Sequence, residues 1–225
     1  VVPPILAAPD FWRHPPRQRH QDHGAPLRLV IASGNSTHLQ CWREELAPAL
    51  AQLMRRHPTL ELSLLGELRA PLVLLEHHKR IHHQSTMSYV DYIQAIANND
   101  VGLMVLEPGV FTDAKSANRW MEFSLSGLAS VMSPTRSLTD VLTHQEHVLF
   151  ARGTTQWHEQ IERLIHNADF RQRLAQQARA QARRLFDPGL AASIWTAMAS
   201  MACEVRPACS AALLETSPAD RLPNS

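Results

Sequence analysis

Short apolar runs alternate with stretches of helical period along most of this chain. LRLVIAS at Leu27–Ser33 is apolar and partly β-branched and runs into the turn residues Gly34-Asn35-Ser36, which predicts a buried parallel strand. After it, Trp42, Leu46, Ala49, Leu50 and Leu53 recur at helical spacing, with Arg43, Glu44, Glu45, Arg55 and Arg56 off the apolar stripe, so an amphipathic helix follows. LELSLLG (Leu60–Gly66), APLVLLEH (Ala70–His77), VGLMVLE (Val101–Glu107), ASVMSP (Ala129–Pro134) and HVLFA (His147–Ala151) read as further strands. Met87–Ala97 and Ser116–Ser126 read as helices between them. Two more helices carry Trp157, Ile161, Leu164 and Ile165, then Phe170, Leu174, Ala178, Ala182 and Leu185, before Asp187-Pro188 breaks the pattern. Strands alternating with helices predict an α/β fold, a parallel sheet sandwiched by helices with right-handed crossovers.

The flanks differ from this middle. Residues 1–26 are rich in proline, which bars helix, and read as a linker leading into a domain spanning 27–187. A C-terminal helix is expected at 188–204, and residues 205–225, without sustained periodicity, read as a disordered tail.

Composition narrows the function. The 225 residues carry 22 Lys and Arg against 21 Asp and Glu, so the basic excess of a nucleic-acid binder is absent and no nucleic-acid partner is expected. Thirteen histidines make the net charge depend on pH below about 6.5. Cys41, Cys203 and Cys209 are an odd number without C-x-x-C spacing, which suggests neither a disulfide framework nor a thiolate zinc site and fits a reducing, cytoplasmic compartment. No stretch has the roughly 18 apolar residues of a membrane span, and the start lacks a basic signal-peptide region. The missing initiator Met suggests a piece of a longer protein or a processed chain.

In an open parallel sheet, ligands bind where strand ends lead into helix N-termini. Two loops fit. In SGNSTH (Ser33–His38), Gly34 permits close backbone approach and Ser36 and Thr37 offer hydroxyls, although the G-x-G-x-x-G dinucleotide pattern is absent and a helix-capping turn is the plain alternative. In EPGVFTDAKSANRWMEFSLSG (Glu107–Gly127), Ser116 is placed to cap the next helix, Lys115 stands at its mouth, and Arg119 and Glu122 sit three residues apart. Two cations at a helix N-terminus are unfavourable unless an anion shares the site; a solvated Arg–Glu surface pair is the bland reading.

The order of these segments resembles the C-terminal, donor-binding domain of retaining glycosyltransferases of the GT-B fold, and more narrowly family 4, glycosyl transferases group 1. Members read approximately Lys-Ser-x-x-Lys-x-x-Glu, a small-residue helix ending in Gly, then a strand and a Ser-Pro turn; Lys115, Ser116, Arg119, Glu122, Gly127 and Ser133-Pro134 occupy those positions. SGNSTH, the His57-Pro58 ahead of the second strand and the VVPP start are similar to the family's opening, so the resemblance covers about residues 1–201. It implies a Rossmann-like sheet corresponding to the C-terminal half of the GT-B fold. It further implies transfer of a sugar from a nucleoside diphosphate sugar to a glycan or lipid-linked acceptor with retention, in surface polysaccharide synthesis. Glu122 would hold the ribose hydroxyls, and Lys115 and Arg119 would lie near the diphosphate, with Lys115 and Glu122 as the catalytic pair. Gly34, Ser36, Asp113 and Ser116 complete the expected substrate contacts. No metal and no other cofactor is needed on this reading. The acceptor would be held by an N-terminal GT-B domain missing from this sequence, and the full enzyme would associate peripherally with a membrane.

The sequence departs from the family where a first glutamate is usual: Ala114 stands there, with Asp113 one residue earlier. The phosphate-holding Arg and Lys that many members carry near the domain's start have no clear equivalent after Gly34, Arg43 being a weak match, and THQEH replaces the Gly-rich turn before the last strand. A nucleotide-sugar epimerase and a non-catalytic GT-B-like interaction module stay open as alternatives. His77-His78 and His82-His83, and His144 with His147, read as surface histidines rather than metal ligands. Trp42, Trp157 and Trp195 read as packing groups, Trp120 as turned into the core, and Cys41 as no nucleophile.

Overall fold

The computed structural model describes residues 26–33, 39–85 and 87–186 and, beyond them, only 189 and 193. The linker, Gly34 and Ser36, the C-terminal helix at 188–204 and the tail at 205–225 therefore lie outside the described residues, or almost wholly so for the helix. Six parallel strands form one sheet in the order β3-β2-β1-β4-β5-β6. They are β1 Arg28–Ser33, β2 Glu61–Gly66, β3 Ile81–Gln84, β4 Val101–Met104, β5 Ala129–Met132 and β6 Leu149–Phe150. Leu29 of β1 pairs with Leu62 on one side and Val101 on the other, so chain order reverses between β1 and β4. Ligands of open α/β sheets bind at such a switch point.

The helices are α1 Leu39–Cys41, α2 Ala47–Arg56, α3 Tyr89–Ala97, α4 Val110–Asp113, α5 Asn118–Leu125, α6 Arg136–Thr139, α7 Gly153–His166 and α8 Ala168–Leu185. Alternation sorts the strand residues between two faces. Leu29, Ile31, Leu62, Leu64, Val101 and Leu103 belong to one apolar cluster with Trp42, Leu50 and Leu53, and with Trp157 and Ile161 of α7. On the other face, Gly102 lets the Phe123 ring of α5 lie against the strand backbone. A Schellman motif ends α5: Leu128 N–H donates to the Phe123 carbonyl and Gly127 N–H to that of Ser124, with Gly127 at φ 84°.

The helix expected from Trp42 onward contains a π-turn at Trp42–Leu46, in which Ala47 N–H bonds back to the Trp42 carbonyl. Its cause is Pro48, which has no N–H for the Glu44 carbonyl. That carbonyl accepts the Thr154 hydroxyl of α7 instead, at 3.1 Å, while Glu45 accepts Gly153 N–H at 2.6 Å.

One expected strand is a helix. Ala70–His77 does not pair; Leu72–Arg80 forms a 3₁₀ helix begun by Pro71, which has no N–H for a ladder. Leu72 is 84% exposed while Leu74 and His77 are buried, the three-residue period of that helix. The third strand lies further on, in the mostly polar Ile81–Gln84, which pairs with Leu62–Leu65 at the sheet edge. His77 is thus buried rather than a surface histidine, with its Nε2 3.2 Å from the Ala51 carbonyl. Trp42, Trp120 and Trp157 are fully buried, and Trp120 Nε1 donates to the His147 carbonyl at 3.0 Å. Burial, then a hydrogen bond to Glu45, pushes the Cys41 thiol up to about 12, so it stays protonated and unreactive.

His144 and His147 act as acceptors in the turn before β6. Phe150 N–H donates to His144 Nδ1 at 2.9 Å and Thr143 N–H to His147 Nδ1 at 3.1 Å, which needs a neutral imidazole. Burial pulls both groups below their ordinary value. With folded values under the unfolded one of about 6.5, the unfolded chain takes up more protons on acidification. This stability is present above about pH 6.5 and lost as pH falls through the folded values. Thermal midpoints measured from about pH 7 to about pH 5 should fall. In a His144→Gln, His147→Gln variant the fall should be shallower; an equal slope would show that these histidines do not contribute.

Candidate functional site

At the carboxyl ends of β1 and β4 lies a cavity of about 380 Å³. Ser33 and Met104 form its floor, Lys115, Ser116, Asn118, Arg119 and Glu122 one wall, and Thr135 and Ser137 another. A second cavity, of about 350 Å³, opens beyond Arg119 and Glu122 toward Gly66, Tyr89 and Tyr92. Arg119 and Glu122 thus stand between two hollows at the switch point, on the first turns of α5.

Glu122 is positioned by two donors. Its Oε2 accepts Arg119 Nη1 at 2.8 Å and the Tyr92 hydroxyl at 3.0 Å. The Arg119 guanidinium lies 5.2 Å from the centre of the Tyr92 ring. The Arg119 and Glu122 side chains are 25% and 13% exposed, so this is not the solvated pair of the bland reading. Tyr92 comes from α3, whose start is capped by Ser88 accepting Asp91 N–H at 3.2 Å. Burial, and next the Glu122 charge, pushes the neighbouring Tyr89 phenol up to about 12, so it faces Glu122 as a neutral donor group.

Lys115 Nζ sits 5.1 Å from the centre of the Phe111 ring, and burial holds its ammonium below the usual lysine value. An anion in the cavity would offset that cost. Ser116 lines the cavity but does not cap α5: the N-cap position is Ala117, with no side-chain cap. The opposite wall is set by Ser133, whose hydroxyl accepts Leu106 N–H at 2.9 Å, and by Thr135 and Ser137, whose hydroxyls lie 3.1 Å apart.

Of the expected site residues, Lys115, Ser116, Arg119 and Glu122 meet at one cavity. Asp113 is not among its lining residues; its carboxylate accepts Arg136 N–H at 3.0 Å, where α6 begins. Sequence reasoning missed Tyr92, Thr135 and Ser137. Tyr92 lies 30 positions from Glu122 with no pattern joining them, whereas the hydroxyls after the Ser-Pro turn carried a usable signal.

A family model described as glycosyl transferase-like matches residues 43–189. This chain belongs to that family. A comparison with curated proteins gave no match. Among solved structures the chain is similar to Anabaena HepE, solved with UDP and glucose, at 16% identity and a TM-score of 0.60, over 78% of this chain and 48% of that one. It is also similar to the C-terminal domain of the group 1 glycosyl transferase LpcC from Francisella tularensis, at 13% identity and 0.54, over 81% of this chain and 95% of that one. A putative UDP-N-acetylglucosamine 2-epimerase from Listeria monocytogenes matches at 14% and 0.54, over 72% and 44%. The chain's six-stranded parallel sheet, flanked by helices, has the Rossmann-like fold of GT-B glycosyltransferase domains. The chain spans about half the length of HepE. Among the described residues no helix is long and apolar enough to cross a membrane.

Proposed function

We propose that this glycosyl transferase-like domain binds a nucleoside diphosphate sugar as the donor half of a retaining glycosyltransferase acting on a glycan or lipid-linked acceptor. The observation that carries the reading is the placement of Lys115, Arg119 and Glu122 around one cavity at the β1–β4 switch point. The Glu122 carboxylate, held by Arg119 and Tyr92, is suited to accept two vicinal ribose hydroxyls. Lys115 and Arg119 then supply positive charge beside the diphosphate, together with the positive end of the α5 dipole.

Charge grows on the diphosphate as the sugar–oxygen bond breaks. Cations already in place stabilise that charge without reorganising, and this is the main term such a transfer asks of the protein. Retention fits a leaving phosphate that takes the acceptor's proton on the same face. Lys115 and Glu122 are the residues assigned to donor activation and donor binding, with Ser116 and Arg119 as further contacts and Asp113 outside the cavity. Gly34 and Ser36 are kept as backbone and hydroxyl contacts of the donor. An N-terminal partner domain would supply the acceptor site. We assign the complete enzyme to surface polysaccharide synthesis in the cytoplasm, peripherally associated with the membrane.

The test is a thermal-shift titration against UDP, GDP, ADP and CMP and their sugars. Ligand at 100 times its dissociation constant adds about 2.7 kcal/mol to the stability of the folded state. A rise selective for one base is expected and names the donor class. Flat curves for every nucleotide, with the chain shown to be folded, would favour a non-catalytic module. Isomerisation of the bound sugar nucleotide without acceptor would favour an epimerase.

A further inference from the structure

On α7, far along the helix from the cavity, His158, Glu162 and His166 recur every four residues and so share one face. His57, where α2 ends, stands against that face. Its Nε2 lies 3.7 Å from Glu162 Oε1, and His166 Nε2 lies 3.9 Å from the same oxygen. The three atoms all fall within 4.8 Å of one another, and the two imidazole rings meet edge to face with centres 5.1 Å apart. His57 Nε2 and Glu162 Oε1 are shut off from solvent; His57 Nε2 makes no hydrogen bond, and Glu162 Oε1 is ion-paired with Arg56 Nη1 at 2.9 Å. A buried imidazole nitrogen left without a hydrogen bond, 3.7 Å from a buried carboxylate oxygen, calls for a ligand.

The geometry points to a binding site for one divalent transition-metal ion of the zinc class, held by His57 Nε2, Glu162 Oε1 and His166 Nε2. Two imidazoles and a carboxylate are a donor set that zinc accepts. A tetrahedral ion with bonds of about 2.0–2.1 Å spaces its ligand atoms about 3.4 Å apart. The observed 3.7 and 3.9 Å to Glu162 Oε1 need shifts of a few tenths of an ångström. The two imidazole nitrogens, which lie within 4.8 Å of each other, must close by at most about 1.4 Å, which rotation of the exposed His166 side chain supplies. His158 Nδ1 lies 3.5 Å from the other carboxylate oxygen, Oε2, where its N–H would orient the ligating group. His166 is 65% exposed and gives the ion its way in from solvent.

Arg56 is the competitor. Its Nη1 is 2.9 Å from Glu162 Oε1, but the side chain is 62% exposed and free to swing into water when an ion takes the carboxylate. The site pins the end of α2 to α7. Because α2 leads directly into the start of β2, it sits at the amino ends of the strands, opposite the Ser33 and Met104 ends that floor the cavity. Its role is to staple the fold, apart from the sugar-transfer chemistry.

Titration of the metal-free protein with cobalt(II) tests this. One equivalent should give the visible ligand-field bands of a four-coordinate ion, and zinc(II) should abolish them by displacement. His166→Ala, which removes an exposed group and leaves the packing intact, and Glu162→Gln should each weaken binding by at least about 10–100-fold. A His82→Ala, His83→Ala variant should bind as the parent does, and circular dichroism checks that each variant is folded. Absence of the bands, their survival in both His166→Ala and Glu162→Gln, or their loss in the His82/His83 variant would each overturn the site.

Discussion

Glu122→Ala should weaken nucleotide binding by about 10- to 150-fold. A hydrogen bond to a charged group is worth about 1.5–3 kcal/mol and each 1.4 kcal/mol is tenfold in affinity, so losing the carboxylate's hold on the ribose gives this range. The variant also frees Arg119, which now spends one Nη1 hydrogen bond on Glu122 at 2.8 Å. A freed guanidinium would strengthen the hold on phosphate, so the loss should be larger for the nucleoside than for its diphosphate. Tyr92→Phe leaves the carboxylate but removes one of its two donors, and should cost about two- to tenfold. Calorimetric titration of nucleoside and nucleoside diphosphate against the three proteins reads these ratios. If Glu122→Ala bound both ligands as tightly as the parent, the ribose assignment would fail.

Gly102→Ala should destabilise the domain by about 1–3 kcal/mol, the usual cost of overpacking a core. A Cβ at Gly102 would stand 2.3–2.6 Å from three carbons of the Phe123 ring, closer than real contacts allow. Phe123 is fully buried, so relief comes from moving α5 rather than from turning the ring out. At roughly 2–4 °C per kcal/mol for a chain of this size, the thermal midpoint should drop by about 2–12 °C. Because Glu122 is the residue before Phe123, nucleotide binding should weaken as well. Gly109 is the control, since a Cβ there meets nothing within 4 Å. An unchanged midpoint in Gly102→Ala would mean that the close approach of α5 to β4 is not a constraint on the fold.

The buried strands were legible because each is a run of apolar residues covered on both faces. Leu29–Ala32, Leu62–Leu65, Val101–Leu103 and Val131–Met132 sit in the sheet where such runs belong. The edge was not legible. An outermost strand needs only one covered face, so His82, His83 and Gln84 pair as β3 with no apolar run, while the more apolar Leu72–Leu75 turns into a helix behind Pro71. The Lys115-Ser116-x-x-Arg119-x-x-Glu122 cluster was readable because its members are close in the chain, Lys115 and Ser116 in the loop just ahead of α5 and Arg119 and Glu122 three residues apart on it.

By itself, the sequence determined the alternating α/β architecture, the family pattern and the local set of charged residues at the start of α5. These depend on periodicity and on spacings of a few residues, which backbone geometry converts directly into faces and neighbours. Only the tertiary structure decided that Tyr92 reaches Glu122 across 30 positions, that Asp113 turns to Arg136 rather than into the cavity, and that His57 meets Glu162 and His166. Those contacts depend on how separate helices dock on the sheet, and no local period along the chain records that docking.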